Sequence, residues 1–388
     1  MVRLGELCKI QSGGTPSRSN KNYWNNGTIP WVKISDIEGK YLDTTEEFIT
    51  NIGLESSSAK IFPAGTILYT IFATLGEVCI LDIDAATNQA IAGIQIESDK
   101  IDRDYLYHYL SSLKQTVNNI GRGVAQNNIN MKILRDFKIP LPSIDEQRKI
   151  AAVLDKVSDL IAKRRQQLDK LDLLIKSRFV EMFGDLADPK CKYMRCKLVE
   201  ACANSDDIKC GPFGTQLNKD EYQEQGVAVW EIPQINSGFK ENPTHFLTQE
   251  KAKQLNSYSL IPGDIAMSRK GNVGRCGLFP KDFLPGIIHS DVLRIRVDNS
   301  RVSPCFMMYQ LHFSKAVEHQ IEMVSSGAVM AGINVTKLKQ IYVHIPPFDL
   351  QQQFAAFVEQ TEKTKTTISR SLEKLETLKK ALMQEYFG

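Results

Sequence analysis

The sequence predicts an α+β protein built twice: two similar mixed α/β globules joined by two long helices that pair as a coiled coil. Three observations predict this. A long block of the chain recurs at a fixed offset of 204 residues. Each copy ends in a sustained heptad stripe of apolar residues. Each copy begins with short apolar runs set between Gly, Pro and Asn.

The recurrence is clearest at the end of the unit. Asn130, Leu134, Pro142, Asp145, Gln147, Ala151 and Ala152 meet Asn334, Leu338, Pro346, Asp349, Gln351, Ala355 and Ala356. The match runs without a gap until Phe183-Gly184 meets Phe387-Gly388, with 15 of 55 positions identical. A period this long is a duplicated domain and not a short solenoid repeat. The front matches more loosely, at offsets of 194 to 199. Leu4 pairs with Leu198, Tyr23 with Tyr222, Trp31 with Trp230 and Gly76 with Gly274. Shifting offsets mean insertions, which collect in loops.

The front of each unit reads as strands at Thr66–Ile71, Ile91–Ile96 and Asp291–Val297, with helical patches over Tyr105–Val117 and Cys305–Val324. The aromatic pairs are expected in the core. The tail reads as one helix of about 37 residues, hence roughly 55 Å. It starts at Pro142-Ser143 or Pro346-Pro347, with Asp145 or Asp349 in the first turn, and stops at Gly184 or Gly388. The first stripe is Ile150, Leu154, Val157, Ile161, Leu168, Leu171 and Ile175. The second is Phe354, Val358, Ile368, Leu372, Leu375 and Leu382, interrupted by Thr361, Lys365 and Lys379. Neither stripe can be buried alone, so the helices are expected to pair.

Composition excludes several classes. Of 388 residues, 42% are apolar and 24% charged, which are globular values. No apolar run approaches the ~20 residues of a membrane span. The first ten residues carry Arg3, Glu6 and Lys9 and lack a signal core, so a cytoplasmic location is expected. The net charge of +3 permits nucleic-acid binding without requiring it. Cys191, Cys196, Cys202 and Cys210 cluster, but without the tight CxxC knuckle of a zinc site, and no metal is expected.

Catalytic constellations are not found. There is no phosphate-binding Walker loop and no GxSxG elbow. Gly121-Arg122-Gly123 is a lone GxG, and the six histidines fall in no metal spacing. Ile345-Pro346-Pro347-Phe348 resembles the Asn/Asp-Pro-Pro-Tyr/Phe loop of amino-methyltransferases, but Ile345 offers no acceptor to a target amine. What remains are loops suited to a polyanion. The first globule offers Thr15, Ser17, Arg18, Asn20 and Lys21 after two glycines. The second offers Thr215, Gln216 and Lys219 after Gly211, and Arg269, Lys270, Asn272 and Arg275 among glycines. Hydroxyls, amides and cations of this kind make most contacts to phosphates and base edges. Gln126–Asn130 is amide-rich, whereas its counterpart Met330–Asn334 is not.

Gln11–Ser17 with Tyr23-Trp24 and Ile29–Val32, and Ile139–Ile150 with its looser version Ile345–Gln351, together resemble the specificity subunit of type I restriction-modification systems. The resemblance covers essentially the whole chain. It implies target-recognition domains at 1–143 and 185–347 and spacer helices at 144–184 and 348–388. It also implies an antiparallel helix pair with pseudo-two-fold symmetry. Each globule would read half of a split, asymmetric double-stranded DNA site, while the helices set the gap and dock two methyltransferase subunits. The chain itself would be non-catalytic and cofactor-free. S-adenosylmethionine would sit on the methyltransferase, and ATP and Mg on a restriction subunit where one joins. A coiled-coil scaffold that binds no DNA is the rival reading. It needs the helices but not the basic loops.

Overall fold

The computed structural model describes residues 1–121, 128–186, 188, 190–325 and 332–388, with the backbone alone at 119–121 and 215. Arg122, Gly123, Gln126, Asn127, Met330 and Ala331 of the motifs above lie outside the described residues, as does the Thr215 side chain. The chain divides into two compact units. One is Met1–Arg165 with Arg370–Gly388, the other Gln166–Ser369.

In the first unit we label β1 (Cys8–Ser12), β2 (Ile29–Val32), β3 (Ile67–Thr70), β4 (Val78–Leu81), β5 (Ala85–Thr87) and β6 (Ile91–Ile96), and α1 (Arg103–Ser112). One sheet runs β1, β6, β3, β4 and Tyr41–Leu42. The other runs Glu47–Ile49, β2, β5 and Ile61–Phe62, with β2 and β5 parallel. The second unit repeats this with β7 (Ile208–Cys210), β8 (Val227–Trp230), β9 (Ile265–Ser268), β10 (Cys276–Leu278), β11 (Gly286–Ile288) and β12 (Val292–Ile295). Its sheets run β7, β12, β9, β10 and His245–Leu247, β8, β11, Ser259–Leu260. Strands β3 and β9 are buried on both faces, which explains their continuous apolar runs.

Structural equivalences fix the repeat more tightly than the sequence does. Thr50 and Thr248 each cap a short helix through the side-chain oxygen. Gly65 and Gly263 take φ of 88° and 91°, and Gly76 and Gly274 take 80° and 85°. Each pair lies 198 residues apart, so the tryptophan pairing is corrected by one residue. The Val32 carbonyl accepts from Asn88 N–H just as the Trp230 carbonyl accepts from His289 N–H. Trp230 is therefore the counterpart of Val32, and Trp31 that of Val229. Adjacent strand positions face opposite ways. Accordingly Trp31 packs with Ile49, Ala59 and Ala86, while Trp230 packs with Phe239, Phe279 and Ile288. Tyr222 likewise matches Trp24 and not Tyr23: the two close the 3-10 turns Lys21–Tyr23 and Lys219–Glu221.

The long helices are α2 (Ile144–Phe183) and, after α3 (Pro304–Phe313), α4 (Phe348–Phe387). At 40 residues each they are slightly longer than expected, about 60 Å. Asp145 and Glu146 in one first turn and Asp349 in the other complement the helix dipole. The repeated glutamines tie each helix start to its globule. Gln147, fully buried, accepts from Asp102 N–H (2.8 Å) and donates to Lys100 and Pro142 carbonyls. Gln351 does the same with Ser303, Arg301 and Pro346. A buried amide satisfied on both sides fixes the exit angle of the helix.

The compact units differ from the four segments read in the sequence, because the far end of each helix finishes the other copy's core. In the first unit Leu382, Met383, Tyr386 and Phe387 pack on Tyr105, Tyr109, Ile150 and Leu154. In the second, Ile175, Phe179 and Phe183 pack on Phe306, Phe354 and Val358. Within each unit the two helix segments run antiparallel. Arg165 meets Glu376 (2.7 Å) in the first, and Asp172 meets Lys365 (2.7 Å) in the second.

Candidate nucleic-acid interface

In the second unit the turn 269–275 joins β9 to β10. Ser268 N–H donates to the Arg275 carbonyl (2.8 Å) and Gly274 N–H to the Ser268 carbonyl (3.2 Å). Gly271, at φ 69°, occupies the tip. Three of the expected residues meet here. Lys270 pairs with Asp291 (2.8 Å), and Asn272 and Arg275 are exposed beside it. Arg269 has a different task. It donates from Nε to the Ile333 carbonyl (3.1 Å) and from a terminal nitrogen to the Ser290 carbonyl (3.3 Å), and it lies 4.8 Å from the Phe213 ring centroid. It staples three loops together and is a positioning residue. The Phe213 loop is held by Gln216, whose side-chain oxygen accepts from Phe213 N–H and Tyr258 O–H. Lys219 is exposed on the same loop.

The first unit brings its expected residues into one loop, and much of their hydrogen-bonding capacity is spent inside it. Thr15 donates to Gln89. Arg18 is ion-paired with Glu47 and lies over the rings of Trp24 (3.7 Å) and Trp31 (4.7 Å). Asn20 accepts from Asn22 N–H, and Ser17 bonds Ser19. Lys21 and Ser17 are exposed. The glycines serve close packing. A Cβ on Gly13 would stand 2.3 Å from the Thr87 carbonyl oxygen, and one on Gly211 would stand 2.3 Å from that of His289. No side chain larger than hydrogen fits such gaps.

The sequence reading missed the first unit's own version of the turn, 71–77 between β3 and β4. Thr70 N–H donates to the Glu77 carbonyl (3.0 Å) and Gly76 N–H to the Thr70 carbonyl (3.1 Å), matching the second unit bond for bond. Phe72 stands where Lys270 does: each forms an isolated bridge, to Asn128 and Gly332 respectively. Phe72 is 40% exposed, and Ala73 and Thr74 are exposed beside it. The signal was available, since an offset of 198 aligns Phe72 with Lys270. A search for cations passes over it.

The stripe residues of both helices are buried or half-buried. Ile150, Leu154, Val157, Ile161, Ile175, Phe354 and Val358 are buried. Leu168, Leu171, Ile368, Leu372, Leu375 and Leu382 are half-buried. Two of the three polar interruptions are satisfied. Thr361 donates to the Phe357 carbonyl (2.9 Å), and Lys365 pairs with Asp172 and Glu362. Lys379 is left with burial and Arg165 against it, which hold its pKa below the usual lysine value despite Asp155. Among the clustered cysteines, burial pushes the Cys202 thiol up to about 12 and raises Cys196 and Cys210, so these are inert protonated thiols. Among the described residues no group of three or more His, Cys, Asp or Glu could hold a metal, and no helix is long and apolar enough to cross a membrane.

One mixed α/β globule used twice, each copy followed by a long helix and presenting polar or apolar loop tips, defines a class of duplicated two-helix proteins. The chain belongs to the type I restriction modification DNA specificity domain family, whose model matches residues 1–172 and 212–377. It is similar to the specificity subunit of the Escherichia coli type I restriction enzyme EcoR124I/EcoR124II, at 30% identity over 47% of this chain and 46% of that one. It is similar to the MjaIX specificity subunit of Methanocaldococcus jannaschii, at 32% identity over 47% of this chain and 43% of the relative. The chain thus spans just under half the length of these two curated relatives. A third, the M. jannaschii MjaVIII specificity subunit, aligns at 21% identity over 99% of this chain and 90% of its own length. The crystal structure of the S subunit from M. genitalium shares the fold, with a TM-score of 0.60 at 15% identity over 100% of this chain and 95% of that one.

Proposed function

We propose that this chain is the DNA-specificity subunit of a type I restriction-modification complex. In this reading each globule, at 1–143 and 185–347, reads one half of a bipartite double-stranded site. The helices at 144–184 and 348–388 set the gap and dock two methyltransferase subunits, joined by restriction subunits where the system has them. The complex works in the cytoplasm. This chain contributes recognition and no catalytic group. S-adenosylmethionine belongs to the methyltransferase, and ATP and Mg belong to the restriction subunit. The observation that carries the reading is the pair of equivalent turns, 71–77 and 269–275: one backbone, used twice, with unlike exposed side chains. Cations and amides at such a tip match guanine and adenine edges, and apolar side chains match the thymine methyl.

Electrophoretic retardation of the complex assembled with its methyltransferase tests this. The wild-type complex is expected to retain duplex. Lys270→Ala with Arg275→Ala is expected to lower the log–log salt slope by about one unit for each phosphate that is no longer neutralised. Arg269 is left intact because its removal would disorder the loops it staples. A complex that retains no duplex supports the scaffold reading instead. S-adenosylmethionine binding by the isolated chain would contradict the non-catalytic assignment.

A further inference from the structure

We propose that the tip of the β3–β4 hairpin, Phe72-Ala73-Thr74, reads a thymine in the first half-site through its 5-methyl group. This rests on the specificity-subunit reading and names the chemistry of one of its two reading heads. Phe72, Ala73 and Thr74 are consecutive and exposed in the turn that joins two adjacent strands of the five-stranded sheet. They are the three side-chain types, a phenyl ring, an alanine methyl and a threonine methyl, that contact the thymine methyl in the major groove. The turn offers little to a phosphate. Its one charged side chain, Glu77, is ion-paired with Lys114. The geometry is also held against a local cost. Ala73 takes φ 60°, a left-handed conformation that the second unit fills with Gly271. A non-glycine residue there is strained, and such strain collects at functional sites. The two heads then differ in kind: Lys270, Asn272 and Arg275 present hydrogen-bond donors, and Phe72 to Thr74 present an apolar surface.

The test uses the complex with its methyltransferase and the duplex site mapped from methylated adenines. The first half-site is identified as the half whose readout survives Lys270→Ala with Arg275→Ala. Each thymine in it is replaced by deoxyuridine, which removes only the 5-methyl. One such replacement is expected to weaken retention by about three- to five-fold, the effect of returning one buried methyl to water. Phe72→Ala is expected to weaken the thymine duplex by a similar factor and to abolish the difference between thymine and deoxyuridine. Phe72→Leu is expected to keep part of it. The exposure of Phe72 makes these variants compatible with folding. Equal retention of every deoxyuridine duplex by the wild type overturns the proposal, as does a first half-site without thymine, or a Phe72→Ala complex that keeps the full penalty. A complex that retains no duplex overturns both this proposal and the reading beneath it.

Discussion

The turns 71–77 and 269–275 share their closing hydrogen bonds, their left-handed tip and their left-handed glycine at Gly76 or Gly274, yet they share almost no side-chain chemistry. The seats of the long helices show the same contrast. In the second unit Phe179 and Phe183 meet Phe306 and Phe354 with ring centroids 4.7 to 5.9 Å apart. In the first, the positions of Cys305, Tyr309 and Ile175 are taken by Asp104, His108 and Lys379, with Lys40 and Asp155 added. Lys40 bonds Asp155 (2.6 and 2.7 Å) and Asp104 (2.8 Å), and His108 bonds Asp155 (2.8 Å). The backbone of the duplicated unit is thus held by a few φ angles, caps and buried amides. Side chains at the tips and seats were free to diverge around it.

The contrast between seats can be broken most sharply at the aromatic one. Phe354→Ala is expected to cost about 3–5 kcal/mol in denaturant unfolding, and Ile150→Ala at its counterpart about 2–4 kcal/mol. The charged seat is expected to respond to removal of its hub. Asp155→Ala leaves half-buried Lys40 and buried His108 short of an acceptor, at a cost of about 1–3 kcal/mol.

The charged seat also carries a pH signature. Burial holds the His108 pKa below its usual value, against the pull of Asp155. Its share of stability is present above about pH 6.5 and is lost as pH falls toward the folded value, because the unfolded chain takes up the proton first. For Lys40, burial opposes the charge, but the hydrogen bonds to Asp104 and Asp155 outweigh it and raise the pKa. That share is lost only at pH above about 10.5. Melting curves between pH 8 and 5 are expected to fall less steeply for His108→Gln than for the wild type. His312 and His344, also held low by burial, keep the remaining slope in the second unit. The smallest effects belong to the tips. Ala73→Gly is expected to stabilise by about 0.5–1 kcal/mol, and Gly271→Ala to destabilise by about 1 kcal/mol. Equal and opposite shifts in midpoint denaturant are the outcome expected of turns that share one backbone.

The parts legible in the sequence were those with long, gapless periodicity. The offset of 204 located both helices, their stripes and the repeated glutamines. The front was legible only coarsely. A Trp31–Trp230 match is attractive by residue type, but a strand alternates faces, so an error of one position assigns each side chain to the wrong layer. Long-range partners were invisible to local pattern. Nothing near Arg269 in sequence announces Ile333 or Ser290, and nothing near Arg18 announces Glu47. The exchange of helix ends was hidden for the same reason, since Phe387 reads only as the last residue before the stop at Gly388 until it is seen against Tyr105 and Tyr109 (5.4 and 5.5 Å).

Two diverged copies of one globule are proposed each to read their own half of one DNA site. Genome-wide mapping of methylated adenines, for the wild-type complex and for Lys270→Ala with Arg275→Ala, tests it most directly. A bipartite asymmetric site is expected for the wild type. In the variant one half becomes degenerate, while the other half and the gap between them are unchanged. A continuous site, or a variant in which both halves become degenerate together, contradicts it.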